Sequence, residues 1–227
     1  MDQYTIDLTG EMLMFGVLSK LLYTSPQMDW IQSLLVEKVF EEVPFGADQE
    51  DVVNGMGLIQ VWNQSVWNLN PQAALAELES DYLCLFIGAG KVMAPPWESV
   101  YFSQERLLFR EQTLQVRQWY RRYGLESEQL YHEPDDHIGL ELSFMAHLTS
   151  LALQARDENK LAEFDEYLTA QKEFFSNHLL KWGPAWAKLV IEHAQTDFYR
   201  GIGHLTLGSL LAVAHLLQLE IPEKALG

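Results

Sequence analysis

Apolar residues recur at helical spacing along nearly the whole chain, and no segment shows the strict alternation between turn residues that marks a strand hairpin. The pattern predicts an all-α, bundle-like fold of about nine to eleven helices in two lobes joined by a hinge. Leu8, Met12, Leu18, Leu21 and Leu22 stripe a first helix, which should stop before Ser25-Pro26 because the residue ahead of a proline is pushed out of helical geometry. Trp30, Ile31, Leu34, Leu35 and Val39 mark a second helix, and Val52, Val53, Met56, Ile59 and Trp62 a third. Asn70-Pro71 is a helix-start signal, a capping side chain followed by a proline in the first turn. Leu75, Leu78, Tyr82, Leu85 and Phe86 then form the predicted buried face. Residues 88–103 break the pattern for longer than an ordinary connector, which makes them a first candidate site. Helix is expected again from near Gln104 to Tyr123, with Gly124 as its C-terminal cap. The polar connector 126–132 is the predicted boundary between lobes 1–124 and 125–227, the second including the Glu133–His137 stretch. Four more helices are expected over 134–155, 158–179, 184–193 and 197–218, the first of them opened by Pro134.

Length and composition narrow the classes. A chain of 227 residues can bury a real core without covalent staples. Its single cysteine, Cys84, lies in the apolar run 82–86, so no intramolecular disulfide forms and a buried, inert thiol in a reducing compartment, the cytoplasm, is expected. Met1-Asp2-Gln3-Tyr4 carries no basic leader region, and no apolar run approaches the roughly 20 residues of a membrane span. Neither export nor membrane insertion is expected. Thirty-two acidic against fifteen basic residues give a net charge of −17, which disfavours nucleic acid and anionic membranes and favours cationic partners. An acidic surface also serves solubility, so charge alone names no ligand.

The candidate chemistry is sparse. Gly88-Ala89-Gly90-Lys91 lacks the earlier glycine and the following hydroxyl of a phosphate loop, whose positions are Leu85 and Val92, so no nucleotide cofactor is expected. Asp135, Asp136, His137, Glu141 and His132 supply enough oxygen and nitrogen for a metal, and His137 and Glu141 share a helix face. A metal-dependent hydrolase using His132, Asp136, His137 and Glu141 is therefore the competing enzymatic reading. Against it, the paired histidines of metallohydrolase helices are absent, and carboxylates in the first turn after Pro134 suit the positive end of a helix dipole by about 0.3 to 1 kcal/mol each. No Gly-x-Ser-x-Gly elbow occurs, and neither catalytic nor metal-ligating residues are expected. Arg121-Arg122 reads as a solvated helix face. Pro95-Pro96-Trp97 differs in kind, because two prolines stiffen the backbone and can present a tryptophan as a peptide anchor; Trp97 and Tyr101 capping the core explain the same residues.

Leu85-Phe86, then Pro95-Pro96-Trp97-Glu98-Ser99-Val100-Tyr101, then Glu133-Pro134-Asp135-Asp136-His137 together resemble the TorD/DmsD family of redox-enzyme maturation chaperones. The family's Glu-Pro-x-Asp-His hinge matches at Glu133, Pro134, Asp136 and His137, and the runs 112–120, 138–142 and Asp197-Phe198-Tyr199-Arg200 are similar too. The resemblance implies a non-enzymatic cytoplasmic chaperone. Its partners would be the twin-arginine signal peptide and the apo form of a molybdenum-cofactor enzyme of the DMSO or TMAO reductase type, which it holds back until cofactor is loaded. A nitrate-reductase-type assembly chaperone is the alternative within the family. The implied peptide site is Tyr82, Leu85, Phe86, Pro95, Pro96, Trp97, Ser99, Tyr101, Glu133, Asp135, Asp136 and His137, with acidic groups for the basic part of the leader and aromatic groups for its apolar part. His137 would titrate near neutral pH or orient Asp136. Small residues at 88–90 leave one wall of the groove more open than in relatives with an aromatic there, and both monomers and domain-exchanged dimers fit the family.

Overall fold

The computed structural model describes residues 2–36, 40–66, 70–88, 91–102, 111–126 and 133–221. Among them are ten α-helices and no strand: α1 (Gln3–Tyr23), α2 (Met28–Val36), α3 (Glu50–Val66), α4 (Pro71–Tyr82), α5 (Ser99–Phe102), α6 (Glu111–Arg122), α7 (Ile138–Asp157), α8 (Leu161–Asn177), α9 (Leu179–His193) and α10 (Asp197–Leu216). The all-α expectation is met. Val39, Ala89-Gly90, the helix start near Gln104 and most of the 126–132 connector lie outside the described residues. Asn70 caps α4 as its sequence suggests, its side-chain oxygen accepting from the Gln72 amide at 3.0 Å with Pro71 in the first turn. A π-helical turn, Leu83–Ile87, continues α4. α9 begins at Leu179, ahead of Pro184, because buried Leu179, Leu180 and Trp182 anchor the preceding turn against the amide bond the proline forfeits and the crowding of its ring. No described helix is long and apolar enough to cross a membrane.

The chain forms two compact units, each assembled from separated segments. The first comprises Met1–Tyr23, Pro96–Gly183 and Val213–Gly227; the second comprises Thr24–Pro95 and Pro184–Ala212. The division expected near 124 falls inside the first unit, and so does the Glu133–His137 stretch. A polar connector signals exposure, whereas the apolar faces decide which helices share a core, and Pro95-Pro96 and Gly183-Pro184 mark two of the crossings.

In the first unit α1 packs along α7, and α7 along α8. Leu8, Phe15, Leu18 and Leu22 of α1 and Leu142, Met145 and Leu148 of α7 are buried. Gly139 permits the close crossing, since a Cβ there would lie 2.8 Å from the Tyr23 Cβ and 3.0 Å from the Ser19 carbonyl oxygen. Tyr120 of α6 packs against Phe144, and Phe144 edge-on against Phe174, with ring centroids 5.0 Å apart for Tyr120–Phe144 and 4.7 Å for Phe144–Phe174.

In the second unit α3 meets α10 backbone to backbone. A Cβ on Gly55 would sit 2.7 Å from the Gly201 carbonyl oxygen, and one on Gly208 would sit 2.7 Å from the Val52 amide nitrogen. Asp81 secures the start of α10, its carboxylate accepting from the backbone amides of Gln195 (3.1 Å) and Thr196 (2.8 Å) and from the Thr196 hydroxyl (2.6 Å). Phe86 lies 5.9 Å from Trp186, whose indole donates to the Ala94 carbonyl oxygen at 3.2 Å.

Candidate functional site

Pro96 opens an extended segment that lies antiparallel to residues 136–138. Trp97 faces His137 across an isolated bridge, with the Glu98 amide donating to the Asp136 carbonyl at 2.9 Å and the Ile138 amide to the Pro96 carbonyl at 2.8 Å. His137 is extended (φ −81°, ψ 135°), and α7 starts at Ile138 instead of in the turn after Pro134. The carboxylates of Asp135 and Asp136 thus precede the helix and do not sit in its first turn. The Asp136 carbonyl is engaged by the Glu98 amide and its side chain by the Ser99 amide 37 residues away, which local helix signals cannot report.

Each acidic side chain in the stretch has its own role. Asp136 is completely buried; one oxygen accepts from the Ser99 amide at 2.7 Å, at the start of α5, and the other from the Thr113 hydroxyl of α6 at 2.6 Å. Asp135, also buried, accepts on one oxygen from the Arg117 guanidinium at 2.7 and 2.6 Å, while its carbonyl accepts from the Tyr120 hydroxyl at 3.1 Å. Thr113, Arg117 and Tyr120 lie three and four residues apart, so a single face of α6 holds both aspartates. The carboxyl of Glu133 is half-buried, which pushes its pKa up against the opposing hydrogen bond from Tyr23.

His137 neither titrates near neutral pH nor orients Asp136. Its Nδ1 accepts from the Gly139 amide at 3.0 Å and so caps α7, which leaves the ring proton on Nε2. Burial among Tyr23 and Trp97, with centroids 5.1 and 6.0 Å away, pulls its pKa down to about 3. The Nε2–Glu133 separation of 4.0 Å is longer than a hydrogen bond.

Beneath the bridge, Glu98 meets His178 Nδ1 at 2.9 Å, both side chains nearly inaccessible. Burial raises the Glu98 carboxyl, an effect opposed by His178. Glu141 is raised well above the usual range, first by burial and then by the charges of Glu98 and Asp136; Trp182 donates to it at 3.3 Å. Burial and the neighbouring carboxylates thus favour the neutral form of Glu141.

The sequence-predicted site residues separate into two sets. Tyr82, Leu85 and Phe86 are buried in the second unit, whereas Leu83 and Ile87 of the same π-helical turn are 51% and 53% exposed. The buried face read from the helical spacing thus holds at Tyr82, Leu85 and Phe86, with Leu83 and Ile87 outside it. Pro95 closes the second unit, and Pro96, Trp97, Ser99, Tyr101, Glu133, Asp135, Asp136 and His137 belong to the first. Of these, Trp97, Tyr101 and Glu133 are partly exposed, Tyr101 lying 5.2 Å from Trp182. Cys84 is half-buried, not enclosed. His132 lies outside the described residues, and no cluster of three or more His, Cys, Asp or Glu among the described residues is placed to hold a metal ion. Tyr23, Glu98, Arg117 and His178 are supporting residues that sequence reasoning missed; the three- and four-residue spacing of Thr113, Arg117 and Tyr120 is the available clue.

Helical units, with a proline-entered loop clasped onto an acidic segment, define an all-α protein. The nitrate reductase delta subunit family matches residues 51–188, and the chain belongs to that family. The chaperone protein TorD of Vibrio cholerae serotype O1 is 30% identical over 199 residues, 83% of this chain and 89% of that protein. The Tat proofreading chaperone DmsD of Salmonella typhi is 32% identical over 150 residues, 63% of this chain and 67% of that protein. The chaperone protein TorD of Aliivibrio fischeri is 32% identical over 129 residues, covering 57% of this chain and 59% of that protein.

Proposed function

We propose that this chain is a cytoplasmic chaperone, not an enzyme, that binds the twin-arginine signal peptide of a molybdenum-cofactor oxidoreductase and assists its maturation before export. The chaperone names of its TorD and DmsD relatives support the role. The observation that carries the site is the clasp between 96–99 and 135–138, which fixes Trp97 beside the Glu133 stretch. A twin-arginine leader has a basic region and an apolar region. Glu133, the motif's partly exposed carboxylate, meets the basic region, and the exposed edges of Trp97 and Tyr101 meet the apolar one. Asp135 and Asp136 act as positioning residues, because both are buried and are bonded by α6 and, for Asp136, by the Ser99 amide. Calorimetric titration with a synthetic twin-arginine leader tests the reading. Glu133→Gln and Trp97→Ala are each expected to weaken binding tenfold or more, while Glu126→Gln, an exposed acid paired with Arg121, changes it less than twofold. Equal affinity in all three proteins would remove the assigned site.

The family description favours a second reading, an assembly chaperone of the nitrate reductase type, whose client stays in the cytoplasm. Capture of a cofactor-free catalytic subunit lacking any leader, with no measurable affinity for leader peptide, is its signature.

A further inference from the structure

A cavity of about 530 Å³ opens in the first unit, its lining including Gln118, Trp119 and Arg122 of α6 and Asn177, His178 and Lys181 of the α8–α9 junction. Its character is opposite to that of the chain. The protein carries a net charge of −17, yet among the described residues the lining holds two cations, an imidazole and neutral amides and no carboxylate.

The cations are also unlike their neighbours. Arg117, Arg121, Arg156 and Arg200 pair with Asp135, Glu126, Asp2 and Asp197. Among the described residues neither Arg122 nor Lys181 forms a direct ion pair with a carboxylate, Lys181 acting on Glu98 only by a minor, longer-range attraction. Instead Arg122 rests 5.6 Å from the ring centroids of both Trp119 and Tyr123, whose planes are within 6° of parallel. Aromatic faces orient a guanidinium without neutralising it, so its fork stays available to a second partner. His178 is nearly buried and fixed by Glu98 on Nδ1 and by the Phe174 ring 4.9 Å away. Gln118 and Asn177 add uncharged amide donors.

We propose that this cavity binds a small ligand through an oxyanion group, a phosphate or a carboxylate, received by Arg122 and Lys181 with the amides as secondary donors. A planar fork and a point cation converging on one cavity suit a group with several acceptor oxygens. The volume accommodates a compact anion, not a folded partner.

The test is a titration of the full chain with inorganic phosphate and, separately, with citrate, at constant ionic strength against chloride. It is followed by the ¹H–¹⁵N signals of the Trp119 indole and the Gln118 and Asn177 side-chain amides. Saturable shifts confined to these groups are expected, and the probe that binds more tightly tells phosphate from carboxylate ligands. Arg122→Gln with Lys181→Gln should weaken binding at least tenfold while the remaining spectrum stays dispersed; Arg121→Gln, outside the lining, should leave it unchanged. Non-saturating shifts with both probes, or undiminished affinity in the double variant, would overturn the assignment.

Discussion

At the residue scale, burial decides which acids carry charge. Glu11 is fully buried between α1, α7 and α8, and desolvation raises its pKa to about 8 against the hydrogen bonds of Thr149 and Gln171. A neutral Glu11 fits the geometry: its hydroxyl can donate to Thr149 Oγ1 at 2.8 Å while Thr149 donates to the Met145 carbonyl at 2.9 Å, which one hydroxyl proton could not do for both acceptors at once. The folded state therefore retains a proton that the unfolded chain has already lost above its ordinary carboxylate pKa, so this group's contribution to stability falls as pH rises from about 4.5 to about 8. His137 acts in the other direction. The unfolded chain binds a proton below about 6.5 and the folded one only near 3, so stability falls as pH drops through that window. Glu11→Gln, which keeps one acceptor for Gln171 and one donor for Thr149, is expected to flatten the decline between neutral pH and pH 8, read by urea unfolding across pH. An unaltered pH slope would show that Glu11 is ionised in the fold. Asp136 is bonded on both oxygens, by the Ser99 amide and the Thr113 hydroxyl. Asp136→Ala leaves the buried Ser99 amide and Thr113 hydroxyl without their acceptor and should cost about 1 to 3 kcal/mol of unfolding free energy, with Asp136→Glu restoring little because neither donor can recede from a buried site.

At the element scale, close helix crossings depend on missing side chains. Gly55 and Gly57 lie on the same helix, α3, but only Gly55 faces backbone: its Cβ would come within 2.9 Å of the Leu205 amide nitrogen, whereas nothing lies within 4 Å at Gly57. Gly55→Ala is expected to destabilise by about 1 to 3 kcal/mol through overpacking, and Gly57→Ala to stabilise by up to about 1 kcal/mol through helix propensity. Chemical denaturation of the two variants measures this, and loss of the same sign in both would discount the crossing. The helix starts teach a similar lesson. Asn70-Pro71 is read correctly from sequence because capping is local, whereas Pro134 is not a helix start because the 96–98 segment claims the backbone that follows it.

At the scale of the whole molecule, a charge of −17 should draw a basic leader by long-range attraction, since exposed charges act over a Debye length of about 8 Å at physiological salt. Leader affinity is therefore expected to fall severalfold between 50 mM and 500 mM salt (about a twofold to tenfold change, mostly in the association rate), as stopped-flow binding would report; salt-insensitive binding would place recognition in apolar contacts alone. The sequence by itself determined the helical class, the capping of α4 and the motifs that carry the family resemblance, because periodicity and short motifs are written locally. The tertiary structure decided which segments share a core, joining α1 to residues 96–183 while residues 24–95 enter the other unit. It also bridged His137 to Trp97 and set the protonation of Glu11 and His137. Those outcomes depend on desolvation and on hydrogen bonds between residues far apart in the chain, such as Glu11 with Gln171 at a separation of 160 residues, and no local pattern encodes such a distance.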